Sequence, residues 1–413
     1  MNSFVYRPEL IGYEKAIELA LGNVSPLSKE LCSCSEALGR VSWSAVRANN
    51  NLPSVDSSLK DGYAVKSSDL KTANDSAPVF LKLVGNSITG HKPTIEVKSG
   101  TAIRILSGAV IPEGADAVLA EEFTESYSDM VKATADAHFG RNILKTGADI
   151  LQGQVLVEAG ELITPAKVGL LVAGGVTDLY VSRMPSVGLL ATGDEVILPG
   201  RPLPEGKLYS SNVALQEAWL KSMGIKCLTE ACGDSIHALI DHIDRMLLSQ
   251  DILITSGGAW TGDRDLVIKA LDHLNWNPLF HRVRMGPGKA VGMGLLRGKP
   301  VFCLPGGPPS NEMAFLMIAL PAIAKILGRQ NHFMPTFMGT LTEELIDQID
   351  WTQFVHCDLS IVDGEYWLKP LEMRTRRLSA MGKTKAIVKI PEGVDKLAAG
   401  TRVSFYAYGM DFS

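Results

Sequence analysis

The feature that most constrains this chain is a regular alternation of strand-like and helix-like segments between about residues 185 and 328. Residues 187–191 form a short apolar run that fits a buried strand. Residues 212–223 then place Leu215, Ala218 and Trp219 on one helical face. The pattern repeats: strand at 225–228, helix at 235–248 with Ile236, Leu239, Ile240, Ile243 and Leu247 inward, strand at 252–255, helix at 265–274, strand at 301–304, and a long helix at 309–327. Continuous apolar strands separated by amphipathic helices predict a mostly parallel sheet wrapped on both faces.

Three of these strands run into polar, turn-rich sequence. The first ends in Ala191-Thr192-Gly193-Asp194-Glu195. Another ends in Thr255-Ser256-Gly257-Gly258, with Thr261-Gly262-Asp263-Arg264-Asp265 opening the next helix. The last ends in Pro305-Gly306-Gly307-Pro308-Pro309-Ser310. Open α/β sheets bind ligands outside the carboxyl ends of their strands. Glycines there let backbone N–H groups approach a phosphate, and helix starts favour anions. A Gly-rich turn is also the ordinary connection between elements, so one such loop says little. Three on one sheet predict a site for a phosphorylated small molecule.

The loops also carry Asp194, Glu195, Asp263 and Asp265. Carboxylates beside phosphate are chemically reasonable when a divalent metal bridges them, because magnesium takes one or two carboxylates plus phosphate oxygens. Helix capping is the competing explanation for Asp263 and Asp265; Glu195 heads no obvious helix. Lys289 follows the turn Met285-Gly286-Pro287-Gly288 and could neutralise the anion.

The flanks differ in texture. Residues 12–48 and 141–180 are expected to be helical, the first in two stretches around a Pro-containing link, the second opened by Pro165 and stopped at Gly174-Gly175. Between them, β-rich runs at 80–84, 102–106 and 117–120 are separated by Gly, Pro, Asn and Asp, which predicts an inserted β-rich domain. Residues 333–413 return to β texture and predict a barrel or sandwich. The expected domains are therefore 1–48 with 141–180, 49–140, 181–330 and 331–413, more than one core for a chain of 413 residues.

Composition excludes several function classes. A net charge of −5 with mixed signs argues against bulk electrostatic binding to nucleic acid or an anionic membrane. The longest apolar stretch, 313–327, is short for a span and contains Pro321 and Lys325. The N-terminus has no basic-then-apolar leader pattern. Six scattered cysteines lack CxxC or structural-zinc spacing, and reduced thiols point to a reducing, cytoplasmic setting.

One further segment stands out: Asp56-Ser57-Ser58-Leu59-Lys60-Asp61-Gly62-Tyr63-Ala64-Val65. It resembles the DNSAMDGYAV segment of the MoeA-type molybdopterin molybdenumtransferases, the family that includes the gephyrin E domain. The likeness continues in order through 106–118, Gly147-Ala148-Asp149, 191–195, 256–265, Pro287-Gly288-Lys289 and 304–308. The resemblance implies four domains, the α/β one MogA-like and the last a β-barrel. It implies a homodimer whose cleft joins the α/β domain of one subunit to the β-rich domain of the other. It also implies insertion of molybdate into adenylylated molybdopterin with release of AMP, assisted by a divalent metal such as Mg2+, and the molybdopterin adenylyltransferase as a partner. By position, Asp61, Glu195, Asp265 and Lys289 are the expected catalytic residues, with Glu195 and Asp265 on the metal. Ser107, Asp194, Ser256, Gly257, Gly258, Pro305, Gly306 and Pro308 are expected to hold the pterin nucleotide.

Several positions depart from the family pattern. Ser57 replaces an asparagine, and Asp234-Ser235 replaces an Asp-Asp pair. Gly286 replaces the first lysine of KPGK, Ala148 a glutamate, and Gly307 the asparagine of PGNP. Only Lys145 remains of a basic run before Gly147. Trp351 and Thr352 stand where an arginine is expected to help hold molybdate, with Arg374, Arg376 and Arg377 nearby. Each lost charge-assisted donor costs about 1.5–3 kcal/mol on a bound anion. The sequence leaves open a divergent paralogue that binds the pterin nucleotide or acts as a scaffold without turnover, and an enzyme that handles tungstate.

Overall fold

A computed structural model of the chain describes residues 10–200, 202–258, 266–346, 348–373, 375 and 377–408. The α/β alternation is present. Its elements are β1 (Ser186–Thr192), α1 (Ser211–Ser222), β2 (Lys226–Cys232), α2 (Ile236–Ser249), β3 (Ile252–Ser256), α3 (Leu266–His273), β4 (Asn277–His281), β5 (Gly292–Leu296), β6 (Lys299–Leu304) and α4 (Pro308–Ala314). The sheet order is β2-β1-β3-β6-β5-β4. β2, β1, β3 and β6 are parallel, whereas β5 and β4 run antiparallel at one edge. This antiparallel pair escaped the sequence reading because Pro278 and two glycines blur its apolar pattern. Gly294 is needed there: a Cβ would lie 2.5 Å from the Trp276 ring.

The long helix contains Pro321, which lacks an N–H and crowds the carbonyl four residues back. The chain answers with a π-helical turn, Phe315–Ala319, before helix resumes at α5 (Leu320–Ile326). The carbonyl of Met317, four residues before the proline, accepts from Tyr13 Oη at 3.2 Å. Tyr13 belongs to the first described helix, Tyr13–Gly22, whose buried face packs into the α/β core with Phe315, Met317 and Phe354. The second helical stretch expected within 12–48 is absent. Lys29–Ser33 is a strand paired antiparallel with Asp178–Ser182, its side chains alternating between exposed Leu31 and buried Cys32. Pro165–Ala173 is helical as expected, capped by Thr164 and ended at Gly174.

The β-rich insertion forms a six-stranded sheet in which Gly62–Val65 lies between Ala117–Ala120 and Thr101–Ile105. Gly62 is dictated by packing rather than turn geometry, since a Cβ would sit 2.0 Å from the Leu119 carbonyl oxygen. Gly62→Ala is expected to destabilise this sheet by about 3 kcal/mol, at the upper end for overpacking, which thermal denaturation of the purified variant would register.

At the C-terminus, Thr336–Leu341, Thr352–Val362, Glu365–Pro370, Ala386–Ile390 and Arg402–Ala407 close into a barrel. Val283–Gly286 joins its edge parallel to Thr352–Val362, with Met285 opposite Thr352. That pairing brings the Lys289 turn to the barrel. No helix among the described residues is long and apolar enough to cross a membrane. All six cysteines are free thiols, five of them buried.

Candidate functional site

The carboxyl ends of β1, β3 and β6 lie side by side in a parallel sheet, so their loops converge. Gly257 and Gly258 both have positive φ, 104° and 63°. A Cβ on Gly257 would collide with the Thr192 carbonyl oxygen at 2.7 Å, so the first and second loops touch only because this residue is glycine. Gly257 N–H donates to the Leu304 carbonyl, and Gly257 Cα is the nearest atom to a Cβ built on Gly306. The three Gly-rich segments therefore form one floor. Pro308 occupies the first turn of α4, after Gly307 as its N-cap. A Cβ at Gly307 would meet nothing within 4 Å, so the family's asparagine would fit there.

The carboxylates divide by role. Asp194 Oδ1 accepts the Asp234 N–H at 2.9 Å, which holds the neighbouring loop. Ser235, where a second carboxylate was expected, caps α2 by accepting from the Ala238 N–H. Glu195 is exposed, folds over Gly193, and its carboxylate has no hydrogen-bond or ion-pair partner among the described residues, its backbone carbonyl alone accepting from the Leu208 N–H. It is an acceptor free for a cation. Asp263 and Asp265 lie outside the described residues, as do Arg374 and Arg376. Among the described residues no cluster of three or more His, Cys, Asp or Glu side chains could hold a metal. A magnesium ion bound mainly through phosphate and water needs only one or two carboxylates, so Glu195 fits that coordination style.

Lys289 stands with its Nζ 5.1 Å from the Trp351 ring centroid, at the seam between sheet and barrel. The preceding Gly288 approaches the Ser310 carbonyl of α4, which ties the lysine turn to the third loop. The space at Gly286 is taken: a Cβ there would lie 2.1 Å from Gln353 Oε1. Arg377 opens a short helix, Arg377–Met381, that packs on α4.

Asp61 and Ser107 meet elsewhere, on the β-rich sheet. Asp61 Oδ1 accepts the Ser107 N–H at 2.6 Å, and both line an open cleft of about 520 Å³ with Leu59, Lys60, Glu121 and Glu122. Asp56, at the head of the same motif, accepts from Lys145 Nζ (2.7 Å) and from the Thr146 N–H and hydroxyl. These bonds, the lysine's first, hold its carboxyl below the ordinary range. Asp56 thus clips the two chain crossings of the insertion together.

Sequence reading missed an amide cluster beneath the floor, with Gln216 and Asn311 buried and Asn212 half-buried. Asn212, Gln216 and Asn311 surround Ser256 and the carbonyls of Pro305 and Gly306. The only available signal was three amides on helical faces otherwise reserved for apolar residues.

A parallel sheet whose carboxyl edge is paved with glycine loops, flanked by a glutamate and a lysine and joined to a β-barrel, defines a multidomain α/β protein with a candidate site for an anionic ligand. Comparison with known proteins gives the family. Residues 11–175 match the model of the MoeA N-terminal region (domain I and II), and residues 188–325 match a probable molybdopterin binding domain. A molybdopterin molybdenumtransferase 2 of Mycobacterium tuberculosis is 30% identical over 90% of this chain and 93% of its own length. The Haemophilus influenzae molybdopterin molybdenumtransferase is 31% identical over 76% of this chain and 77% of its own. Two solved molybdopterin biosynthesis MoeA structures from Pyrococcus horikoshii superpose with TM-scores of 0.85 and 0.83, at 28% and 25% identity. They cover 97% of this chain and 99% and 100% of theirs. The chain belongs to the molybdopterin molybdenumtransferase family, enzymes of molybdenum cofactor biosynthesis.

Proposed function

We propose that this protein inserts molybdate into adenylylated molybdopterin and releases AMP, as a cytoplasmic homodimer assisted by Mg2+. The observation that carries the reading is the continuous glycine floor at 256–258 and 305–308, bordered by unpartnered Glu195. The domain limits we propose are 1–48 with 141–180, 49–140, 181–330 and 331–413, with the helix Tyr13–Gly22 docked onto the α/β core. Ser256, Gly257, Gly258, Pro305, Gly306 and Pro308 would contact the pyrophosphate and nucleotide, and Asp194 would keep the first loop in place. Glu195, with Asp265, would hold Mg2+, which supplies charge neutralisation at the pyrophosphate when bound. Lys289 would stabilise the oxyanion, oriented by Trp351. Asp61, fixed by the Ser107 N–H, would enter the cleft from the second protomer.

The purified protein incubated with adenylylated molybdopterin, magnesium and molybdate should release AMP and retain molybdenum on the pterin. The absence of AMP with both molybdate and tungstate would sink the reading. Binding of the pterin nucleotide without turnover is a second reading, favoured by Gly286 and the neutral Gln353 carboxamide that fills the space beside it. Preference for tungstate would appear in the same assay. Association with the molybdopterin adenylyltransferase is proposed on the family likeness alone, and a pull-down with that enzyme tests it.

The shared cleft makes a specific prediction. Asp61→Asn and Glu195→Gln proteins should each be nearly inactive, whereas dimers re-formed from an equal mixture should recover roughly a quarter of wild-type activity. Half the dimers would then be mixed, each with one intact site. No recovery after subunit exchange has been demonstrated would contradict a site shared between protomers.

A further inference from the structure

Ser256 ends β3 at the centre of the floor and is 6% exposed. Its Oγ lies 3.0 Å from Asn311 Nδ2 and 3.2 Å from Asn212 Nδ2. Which end of each amide faces the serine is fixed by a second bond. Asn311 Nδ2 also donates to the Pro305 carbonyl at 2.7 Å, while its Oδ1 accepts from Gln216 Nε2 at 2.6 Å. Asn212 Nδ2 also donates to the Gly306 carbonyl at 2.9 Å. A carbonyl only accepts, so the amino group of each amide must point to this cluster.

A serine hydroxyl has two lone pairs and one O–H. Two N–H groups already occupy the lone pairs of Ser256 Oγ. Its remaining capacity is to donate, and no acceptor for that proton exists among the described residues. A buried donor without an acceptor is costly unless a ligand satisfies it. Anions accept and cannot donate, so a phosphate oxygen satisfies it and a ligand N–H does not.

We propose that Asn311 and Asn212 fix Ser256 as an obligate hydrogen-bond donor to a phosphate oxygen of the bound pterin nucleotide, and that Asn311 is the positioning residue that ties the 256–258 loop to the 305–308 loop. This rests on the reading given under Proposed function for the ligand's identity. Asn311 is fully buried and touches no ligand, so it acts through Ser256 and Pro305. Sequence alone does not assign this role, because Asn311 lies four residues past the glycine loop, on a short helix that also carries Ser310 and Glu312.

Calorimetric titration with adenylylated molybdopterin and, separately, with inorganic pyrophosphate tests the assignment. Ser256→Ala should weaken both about 10–100-fold, the range for a bond to a charged acceptor, and should leave the melting temperature unchanged. Asn311→Asp presents an acceptor to Ser256, captures its O–H, and should weaken both probes at least as much. The double variant should bind no more weakly than Asn311→Asp alone, a non-additivity that loosened packing would not produce. If Asn311→Asp fails to fold, Asn212→Asp, at a less buried position, captures the same proton and should give the same pattern. Unchanged pyrophosphate affinity in Ser256→Ala, or strict additivity with Asn311→Asp or Asn212→Asp, overturns the proposal. Wild-type protein that binds pyrophosphate but not adenylylated molybdopterin, with the pyrophosphate still lost in Ser256→Ala, overturns the ligand reading and supports the donor role. Binding of neither probe overturns both.

Discussion

Glu195→Gln is expected to lower AMP release at saturating substrate about 100–1,000-fold, the scale seen when one charge-stabilising group is removed from an active site. The change should barely affect folding. The Glu195 side chain is exposed and bonds to nothing among the described residues, so the substitution breaks no native hydrogen bond. Affinity for adenylylated molybdopterin should also hold, because the glycine floor and Ser256 remain. What disappears is the anionic ligand: an amide oxygen carries no charge to retain a divalent cation beside phosphate. Raising magnesium should recover part of the rate. Turnover within threefold of wild type at ordinary magnesium would remove Glu195 from the chemistry and shift the metal to other carboxylates.

The second large effect concerns stability against pH at the seam between the long helix and the barrel. Glu312 on α4 and His356 on the barrel strand Thr352–Val362 are both almost fully buried, with Glu312 Oε2 and His356 Nε2 3.6 Å apart. Tyr408 Oη donates to Glu312 Oε1. Thr384 Oγ1 lies 3.1 Å from His356 Nδ1 and 3.5 Å from the Ala380 carbonyl, while Glu312 Oε2 and His356 Nε2 have no hydrogen-bond partner among the described residues. Burial pushes Glu312 up to about 7, against the opposing Tyr408 bond, and pulls His356 down to about 4. Both groups are therefore neutral between those values.

The signs then oppose. A raised folded pKa for Glu312 gives stability that is complete below about 4.5 and lost as pH rises through 7. A lowered folded pKa for His356 gives stability that is complete above about 6.5 and lost as pH falls through 4. In the wild type the two slopes largely cancel across pH 4.5–6.5. Glu312→Gln should expose the histidine slope, with about 3 kcal/mol lost between pH 6.5 and 4. His356→Gln should expose the opposite slope, with a similar loss between pH 4.5 and 7. Melting temperatures across this range should tilt in opposite directions for the two variants. Parallel curves for the variants and wild type would show that neither group changes protonation on unfolding.

The glycine floor was legible in the sequence because its causes are local. Strands 186–192, 252–256 and 299–304 are short apolar runs, and each ends where glycine permits a backbone conformation or approach that other residues resist. The C-terminal barrel was legible in texture only. Its closure depends on the pairing of Thr352–Val362 with Ala386–Ile390, a contact between segments whose spacing carries no register. The stretch around Lys29–Ser33 was misjudged because an isolated strand takes its partner from Asp178–Ser182, almost 150 residues on. The missing lysine at Gly286 looked like a simple loss. The structure shows Gln353 standing in the space a side chain there would enter.

By itself, then, the sequence determined the element pattern, the glycine loops and the family motifs, since these depend on periodicity, backbone permission and residue identity along one chain. Only the tertiary structure decided that Asp194 holds the Asp234 N–H while the Glu195 carboxylate stays unbonded among the described residues, that Asp56 clips the insertion, and that Lys289 lies against Trp351. It alone revealed that Asn311 and Asn212 set the polarity of Ser256. Hydrogen-bond polarity and burial are properties of groups brought together from distant segments, and a hydroxyl has no fixed role until its neighbours have taken its lone pairs.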